Sequence, residues 1–426
     1  MAKKGIREYD AKRLIHNALP EYSGGRFHTD DRLILVTPQT ELDKLLQENP
    51  WLNDTRLVVK PDQLFGKRGK NNLLLVDATF AQAQAWIEER MNKQVTIEQT
   101  TGKTTGVLTH FLIEPFVPHE EEYYLAFTSK TDADVIHFSL HGGVDIEEVW
   151  DSVVTIEVPI LADPTAIDVV SYLPEMKEKE TVAAFIQALY RVYCEYYFAY
   201  LEFNPIAFHG GTLVPLDTVA KLDDTAAFQC AHKWGKIEFP KAFGSVSTEE
   251  EAYIAALDEK TGASLKLTLL HPNGRVWNLV AGGGASVIYA DTVVDLGYGE
   301  ELANYGEYSG NPTTEQTYEY SRTVLDLMTR VPDPQGLPKF LLIGGGIANF
   351  TDVAKTFTGI IKALEDYKEK LHENNVKIYV RRGGPNYKEG LENMRHLGER
   401  IGIPLQVFGP ETHMTRIVSL ALEEGK

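Results

Sequence analysis

The chain has 426 residues, of which 43% are hydrophobic and 24% are charged, as is ordinary for a globular protein of two or three domains. Its 42 basic and 61 acidic side chains give a net charge of −19. That charge repels nucleic-acid phosphates and anionic lipid, so neither is an expected partner. No apolar run approaches the roughly 18 residues of a membrane span. Two cysteines, Cys194 and Cys230, are too few for a disulfide framework and indicate a reducing, cytoplasmic compartment.

The first half of the chain mixes strands with few helices, which is typical of an α+β domain. Apolar periodicity predicts helices over residues 6–19, ended by Pro20, and over residues 81–91 and 181–197. Strands are predicted over residues 33–37, 57–60, 123–127 and 135–140, the last two in one sheet. A hairpin is predicted around Gly210 and Gly211.

A domain boundary is predicted near residue 245, because residues 234–249 show no period and contain proline and glycine. Thr248 and Glu251 have the spacing of a capping box, which predicts that a helix begins there. Residues 1–245 and 246–426 are therefore expected to be two domains.

The second half alternates strands and helices, which predicts a doubly wound parallel sheet. Strands are expected over 276–281, 340–343, 376–380 and 405–408, and helices over 314–329, from the glycine run after 343 to about 371, 387–401 and 415–423. Pro272-Asn273-Gly274 lies between the strands 265–270 and 276–281 and predicts a hairpin of those two strands.

A basic turn follows the strand that ends at Lys60, with Lys67, Arg68, Gly69 and Lys70 close behind. Glycine lets the backbone approach a ligand and the cations neutralise oxygens, so this turn suits a polyphosphate. A solvated surface loop is the alternative, and it is favoured when this segment is considered alone.

An oxygen-ligand site is predicted where Asn204 and Asp217 face each other on adjacent strands of the hairpin. An amide oxygen and a carboxylate form a sparse site that Mg²⁺ accepts when nucleotide phosphates complete its coordination. Ordinary turn chemistry is the alternative and is slightly favoured for this segment alone.

The glycine run 344–346, followed by Asn349 and Thr351, lies between a predicted strand and a predicted helix. Free amides at a helix N-terminus bind anions. The arginine pair 381–382 ends the next strand and should lie at the same sheet edge, where arginine can grip a carboxylate. A second glycine run, 282–284, also follows a strand. Plain turn geometry is the alternative, but the combination favours a binding site.

Long strings of the sequence resemble the nucleotide- and citrate-binding part of ATP-citrate lyase, whose layout is similar to that of the β subunit of succinyl-CoA synthetase. They include LVVKPDQLFGKRGK, FLIEPFVPH, YLEFNP, VAGGGASVIYADT, ELANYGEYSG, IGGGIANFTDVA and YVRRGGPNYKEGL. The resemblance covers essentially the whole chain. It implies an ATP-grasp domain over residues 1–245, followed by a flavodoxin-like doubly wound domain over residues 246–426.

The resemblance also implies roles for individual residues. The implied ATP-binding residues are Lys60, Arg68, Gly69, Pro115, Val117 and Glu122. The implied magnesium ligands are Asn204 and Asp217, and a further metal site is implied at Asp258, Thr261 and Ala263. The implied citrate-binding residues are Gly310, Gly345, Gly346, Asn349, Thr351, Tyr367 and Arg382. The helix of the string GGGIANFTD would aim its N-terminus at a phosphohistidine.

The reaction implied by this family converts ATP, citrate and CoA to ADP, phosphate, acetyl-CoA and oxaloacetate. The chain would bind Mg-ATP and citrate and drive phosphorylation of a histidine, followed by formation of citryl phosphate. The family's phosphorylated histidine, CoA site and citryl-CoA-cleaving domain have no counterpart in this sequence. A second subunit that carries them is therefore the expected partner, and no catalytic residue is expected in this chain.

Two alternatives remain at this stage. One is the β subunit of a succinyl-CoA synthetase, which needs fewer polar anchors than Asn349, Thr351 and Arg382 provide. The other is a non-catalytic sensor of citrate or nucleotide. Lys60, Asn204 and Asp217 count against it, because a sensor has no need of the magnesium of phosphoryl transfer.

Overall fold

The structure is a computed structural model that describes residues 3–99, 102–143, 146–245, 248–260 and 262–423. The chain divides into two units, Met1–Val246 and Ser247–Lys426, and each is described here by itself. In the described part of the chain, no helix combines the length and the apolar character needed to cross a membrane.

The first unit is built on two larger sheets and one isolated hairpin. Its elements are β1 (Lys3–Ile6), α1 (Glu8–Tyr22), β2 (Ile34–Val36), α2 (Leu42–Glu48), β3 (Leu57–Pro61), β4 (Leu75–Ala78), α3 (Phe80–Arg90), β5 (Gln94–Gln99), β6 (Gly102–Val107), β7 (Phe111–Pro115), β8 (Glu122–Ser129), β9 (Ala133–Ser139), β10 (Val154–Pro159), α4 (Lys179–Glu195), β11 (Phe198–His209), β12 (Thr212–Pro215), β13 (Thr218–Asp223) and α5 (Ala227–Trp234). One sheet has the order β1-β13-β11-β8-β9-β10, with β12 paired to β11. The other has the order β2-β7-β3-β4, and β5 pairs with β6.

Helices α1 and α4 cover the larger sheet. α1 buries Leu14 and Leu19, and α4 buries Phe185 and Leu189, in one apolar core with the inward residues of the sheet. The predicted pairing of the strands near residues 123–127 and 135–140 is confirmed, since β8 and β9 are antiparallel neighbours. The predicted hairpin at Gly210 is also confirmed as β11 and β12.

The second unit contains α6 (Glu249–Glu259), β14 (Ser264–Leu269), β15 (Val276–Ala281), α7 (Gly283–Asp295), β16 (Asn304–Ser309), α8 (Thr314–Thr329), β17 (Phe340–Gly345), α9 (Val353–Asp366), α10 (Lys368–Glu373), β18 (Lys377–Arg381), α11 (Tyr387–Ile401), β19 (Leu405–Phe408) and α12 (Arg416–Glu423). The strands β15, β17, β18 and β19 form a parallel sheet in that order. α8, α9 and α11 pack on one face, and α7 and α12 pack on the other. The predicted doubly wound parallel sheet is confirmed.

Local sequence signals predicted the start of α6 correctly but misplaced the start of α1. The predicted capping box is present before α6, where Glu251 N donates to Thr248 Oγ1 at 3.2 Å and Thr248 N donates to Glu251 Oε2 at 3.0 Å. The predicted first helix is confirmed as α1, but its predicted bounds of 6–19 are wrong, because Lys3–Ile6 pairs with β13 as a strand and α1 continues past Pro20. Proline removes only one donor there, and the last turn still closes through the Gly25 N to Pro20 O bond of 2.7 Å.

The predicted hairpin around Pro272-Asn273-Gly274 is also wrong. The turn itself forms, since Gly274 N donates to His271 O at 2.8 Å, but β14 pairs antiparallel with β16 while β15 pairs parallel with β17. β15 is buried at every position, and a strand covered on both faces belongs inside a parallel sheet. The turn residues therefore identify a change of direction, while burial decides the strand partner.

Candidate active site

A cavity of about 300 Å³ opens in the first unit, with walls from both larger sheets and from α1. Much of its wall is apolar, with Ile15, Val58 and Leu74 among the lining residues. Every predicted ATP-binding residue lines this cavity, together with one predicted magnesium ligand: Lys60, Arg68, Gly69, Pro115, Val117, Glu122 and Asp217. An apolar slot that also holds cations suits a nucleotide base and its phosphate chain.

Lys60 lies in a buried cluster of charged side chains. Its Nζ is 2.7 Å from Glu8 Oε1 and 2.9 Å from Glu114 Oε1, and it donates to the Leu216 carbonyl at 2.6 Å. Lys12 Nζ contacts the same two carboxylates at 2.9 and 2.6 Å. Burial lowers the pKa of Lys60, but the two glutamates outweigh that effect and hold the pKa above its usual range. Lys60 therefore stays charged.

Arg68 closes the cluster on the other side. Its Nη1 donates to Glu8 Oε2 at 2.5 Å and to Asp217 Oδ1 at 2.9 Å. Burial raises the pKa of Glu8, but Lys12, Lys60 and Arg68 together hold it well below its usual range. Burial raises the pKa of Asp217, and Arg68 offsets this only in part. The predicted phosphate-binding cations are thus neutralised by carboxylates in the structure.

The sequence interpretation missed Glu8, Lys12 and Glu114. A signal for two of them was available, because Glu8 and Lys12 share one face of α1 with Ile15 and Leu19, at helical spacing. Charged residues on the apolar face of a helix need buried partners, and here those partners lie in the cavity.

His119 joins two of the predicted nucleotide contacts. Its Nδ1 lies 2.7 Å from the Val117 carbonyl oxygen, and its Nε2 lies 2.8 Å from Glu122 Oε1. Burial lowers the pKa of His119, but Val117 and Glu122 outweigh it and raise the pKa above its usual value. The imidazole therefore fixes Glu122 relative to the backbone of the Val117 segment.

The two predicted magnesium ligands lie on neighbouring segments. Asn204 N donates to the Asp217 carbonyl at 3.2 Å, and Asn204 Oδ1 accepts from Gly143 N at 2.8 Å. The Asp217 carboxylate faces the cavity beside Arg68. One amide oxygen and one carboxylate fit Mg²⁺ that takes its remaining oxygens from phosphates.

The further metal site implied at Asp258 stays a prediction. Asp258 accepts from Leu265 N at 2.7 Å and forms a salt bridge with Lys266. Thr261 lies outside the described residues. Among the residues that are described, no cluster of three or more His, Cys, Asp and Glu side chains is arranged to hold a metal.

The second unit brings its predicted anion-binding residues to the carboxyl edge of the parallel sheet. Gly345 lies in register with Ala281, and Arg382, which is 5% exposed, donates through Nη1 to the Gly346 carbonyl at 2.7 Å. Gly345 has φ +154°, and a Cβ there would lie 2.6 Å from Arg382 Nη1. Glycine is therefore required at this position for the arginine to reach its place.

Two buried polar atoms at this edge have no hydrogen-bond partner within the described residues, Arg382 Nε and Tyr308 Oη. Burial lowers the pKa of Arg382, and burial raises the pKa of Tyr308 to about 12 although the nearby arginine opposes it. Buried donors normally find an acceptor. A carboxylate-bearing ligand would supply one, and Tyr308 is a residue that the sequence interpretation did not identify.

Residues 346–352 form a loop rather than the first turns of a helix, so the expectation of a helix directly after the glycine run is wrong. α9 begins at Val353, where the Asp352 side chain accepts from Lys355 N at 2.9 Å as the cap. The loop is held against the next strand end because Ala348 N donates to the Gly383 carbonyl at 2.9 Å. This hydrogen bond keeps the loop, which includes Asn349 and Thr351, at the edge of the sheet.

The remaining predicted citrate-binding residues, Gly310 and Tyr367, lie at different positions in the second unit. Gly310, with φ +72°, directly follows β16, and a Cβ there would lie 3.2 Å from Ala263 Cα. Tyr367 follows the last residue of α9 and donates to Asp326 Oδ1 at 3.3 Å. Since α9 has 14 residues, Tyr367 lies about 20 Å from the start of that helix, and the structure does not bring it to Arg382.

Comparison with known proteins decides the family. Residues 2–234 match the model of the ATP-citrate synthase ATP-grasp domain, and residues 245–424 match the ATP citrate lyase citrate-binding model. The chain belongs to the ATP-citrate lyase family.

Individual members of the ATP-citrate lyase family match over the whole chain. ATP-citrate synthase alpha chain protein 2 of Arabidopsis thaliana is 48% identical over 426 residues and 99% of each chain is covered. ATP-citrate synthase of Homo sapiens is 48% identical over 430 residues, which cover 99% of this chain and 38% of the human protein. The structure of ATP citrate lyase from Methanothrix soehngenii in complex with citrate and coenzyme A has a TM-score of 0.91 and 55% identity, with 99% and 100% of the two chains covered.

This chain is therefore an ATP-citrate lyase subunit with an ATP-grasp domain and a citrate-binding domain. The predicted fold class and the predicted family are confirmed, and the succinyl-CoA synthetase alternative is set aside. The roles of individual residues stay predictions, which the geometry of the two sites makes specific enough to test.

Proposed function

We propose that this chain is the nucleotide- and citrate-binding subunit of a two-subunit ATP-citrate lyase. Residues 1–245 would bind Mg-ATP, and residues 246–426 would bind citrate. The proposal that this chain binds nucleotide rests on one observation, which is that all the predicted ATP-binding residues line the same cavity. The unpartnered buried atoms of Arg382 and Tyr308 support the citrate half.

In the nucleotide domain, Lys60 and Arg68 would hold the phosphates and the Val117 segment would contact the base. Asn204 and Asp217 would hold Mg²⁺, whose chemistry when bound is to neutralise charge on the phosphate oxygens. The incoming phosphates compete with carboxylates for the same cations, so Arg68 would exchange Asp217 for a phosphate oxygen. That exchange leaves the Asp217 carboxylate available as a metal ligand.

In the citrate domain, Arg382 would bind one carboxylate, while Tyr308 Oη and the residues 346–352 would bind others. A citrate carboxylate oxygen would then attack a phosphohistidine of the partner, so that the P–N bond breaks, a P–O bond forms and citryl phosphate results. Positioning and charge neutralisation are the contributions of this chain. No nucleophile of its own is needed.

The second subunit would contribute the phosphohistidine, the CoA site and the cleavage of citryl-CoA. The length relationship supports this, because the chain covers almost all of a plant alpha chain but 38% of the human protein. A cytoplasmic location is part of the same proposal, since Cys194 and Cys230 are both free thiols.

The first test is a thermal-shift titration of the chain with citrate, succinate and Mg-ATP. A ligand at about 100 times its dissociation constant adds about 2.7 kcal/mol of stability, so citrate and Mg-ATP should each raise the melting temperature and succinate should not. Arg382→Ala should abolish the citrate shift and keep the Mg-ATP shift. Arg395→Ala, which removes an exposed arginine paired with Glu392 at 3.0 Å, is the matched control. Near-normal citrate affinity in Arg382→Ala would overturn the citrate assignment.

A turnover assay distinguishes the proposed enzyme subunit from a non-catalytic sensor of citrate or nucleotide. With the second subunit added, ATP hydrolysis should require both citrate and CoA, and it should be lost in Lys60→Gln. Binding of both ligands without such turnover in the assembled complex would favour a sensing protein.

A further inference from the structure

A second cavity of about 330 Å³ lies in the first unit and shares no lining residue with the nucleotide cavity. Its wall consists of residues 22–24 and 26–27 at the end of α1, Thr165, and the face of α4 that carries Gln187 and Arg191. Gln187 Nε2 donates to the Thr165 carbonyl at 2.8 Å, which ties the loop to the helix. The cavity is therefore bounded by three segments that are fixed to one another.

Two arginines, Arg26 and Arg191, line this cavity, and neither has a carboxylate partner in the part of the chain that the structure describes. Within the described residues, every arginine of the chain forms a salt bridge with a carboxylate except Arg26, Arg191, Arg381 and Arg382. The last two lie at the proposed citrate site. Because the chain has 61 acidic and only 42 basic residues, an arginine without an acidic partner is unusual in it. Two such arginines at one cavity therefore distinguish this cavity.

The guanidinium groups are held in place by contacts that use few of their donors. Arg191 donates to the Tyr22 carbonyl at 2.9 Å and lies over the Tyr22 ring at 5.3 Å. Arg26 donates to Thr181 Oγ1 at 3.4 Å and lies over the Phe27 ring at 5.0 Å. Arginine has five N–H donors, so most of them remain for a ligand. The charge of Arg191 also acts on Asp163, whose carboxylate already accepts from the Thr165 amide and hydroxyl.

We propose that this cavity is a second anion site that binds a small phosphate-bearing molecule through Arg26 and Arg191. Two planar guanidinium forks match the oxygens of a phosphate group bidentately, which a pair of lysines would not do. The stacking of each fork on an aromatic ring limits its freedom, so little conformational entropy is lost on binding. The proposal does not depend on the assignment of the nucleotide cavity.

The test is calorimetric titration of the whole chain with inorganic phosphate, in the presence of saturating Mg-ATP so that the nucleotide cavity is filled. The wild-type chain should bind one equivalent, and the double variant Arg26→Gln/Arg191→Gln should bind roughly tenfold more weakly or worse, since charge-assisted hydrogen bonds are lost. Arg90→Gln is the matched control, because Arg90 also stacks on an aromatic ring (4.3 Å from Trp86) and donates to a carbonyl, but is paired with Glu89.

The outcomes are separable. Retention of the Mg-ATP thermal shift shows that the double variant is folded, and Arg26→Lys/Arg191→Lys, which keeps the charge but not the forks, should bind with intermediate affinity. No saturable phosphate binding in the wild-type chain, equal loss in Arg90→Gln, or equal binding of acetate would overturn the proposal. If Mg-ATP does not bind at all, the titration without it still tests the dependence on the two arginines, so failure of the nucleotide assignment is recognised independently.

Discussion

Lys60, which lines the first cavity, forms a buried ion pair with Glu8, with Lys60 Nζ 2.7 Å from Glu8 Oε1 and side chains that are 3% and 1% exposed. The same glutamate contacts Lys12 and Arg68, so one carboxylate is shared by three cations. Removal of one partner from a buried charge pair leaves an uncompensated charge. Glu8 therefore keeps the proposed phosphate-binding cations charged and correctly placed.

We expect Glu8→Gln to lower the free energy of unfolding by about 3–5 kcal/mol, because three buried cations would then share fewer negative charges. Mg-ATP should recover part of this loss, since its phosphates supply the missing negative charge. Urea unfolding with and without Mg-ATP measures both effects. Glu41→Gln, which breaks an exposed pair with Lys44, should change the free energy of unfolding by less than about 1 kcal/mol. Unchanged stability in Glu8→Gln would contradict this account of the cluster.

Much of the second unit could be predicted from the sequence because its elements carry strong local signals. The helices Thr314–Thr329 and Tyr387–Ile401 and the strand Leu405–Phe408 have the predicted bounds. The predicted edge that brings glycines and arginines together also follows from strand order alone. Strand partners were less predictable, as the β14 and β15 pairing shows, since a turn signal does not state which strands pair.

The candidate site was predictable where motifs carry it and not where packing does. Lys60 and Arg68 belong to one recognisable string, whereas Glu8 reaches Lys60 across 52 positions of the sequence. Tyr308 lies in the string ELANYGEYSG, but the string gives it no role, because its significance comes from burial beside Arg382 without a hydrogen-bond partner among the described residues. Such three-dimensional coincidences of charge and burial have no counterpart in local sequence.

Tyr308→Phe tests the unpartnered hydroxyl at the proposed citrate site. The free chain should be equally stable or more stable by up to about 1–3 kcal/mol, because the variant removes a buried hydroxyl that makes no hydrogen bond. Citrate affinity should fall roughly tenfold. Tyr320→Phe is the control, since Tyr320 Oη donates to the Lys266 carbonyl at 2.8 Å, and it should lose about 1 kcal/mol of stability while citrate affinity is kept. Wild-type citrate affinity in Tyr308→Phe would exclude the hydroxyl as a ligand contact.

Gly345→Ala tests the close approach of the backbone to Arg382. The new Cβ would lie 2.6 Å from Arg382 Nη1 at a backbone φ of +154°, so the arginine must move and citrate binding should weaken by roughly tenfold or more. Gly299→Ala is the matched control, because a Cβ at Gly299 would meet nothing closer than Val294 Cγ2 at 3.7 Å, an ordinary van der Waals contact. Calorimetric titration with citrate compares the two variants, and an equal effect of both would show that the arginine does not require the glycine.

Because the carboxylate of Asp62 is buried, we expect the stability of the first unit to depend on pH. Its carboxylate accepts from Glu8 N and Tyr9 N at 2.8 and 3.0 Å, yet burial, with Glu8 adding to it, raises its pKa to about 6. Because the folded pKa lies above the unfolded value of about 3.9, the folded state binds the proton more tightly than the unfolded state. The contribution of Asp62 is therefore fully present below about pH 4 and is lost as the pH rises through about 6, by up to about 3 kcal/mol.

Asp62→Asn should remove this dependence. Urea unfolding of both proteins from pH 4 to 8 measures it: the wild-type free energy of unfolding should fall relative to that of Asp62→Asn between about pH 4 and 6 and then run parallel to it. Asp77→Asn serves as the control, because Asp77 is exposed and pairs with Arg56 at 2.7 Å, and it should change the free energy of unfolding by less than about 1 kcal/mol. Parallel curves for the wild type and Asp62→Asn throughout would mean that Asp62 is already ionised at pH 4, and that its two backbone donors outweigh the cost of burial.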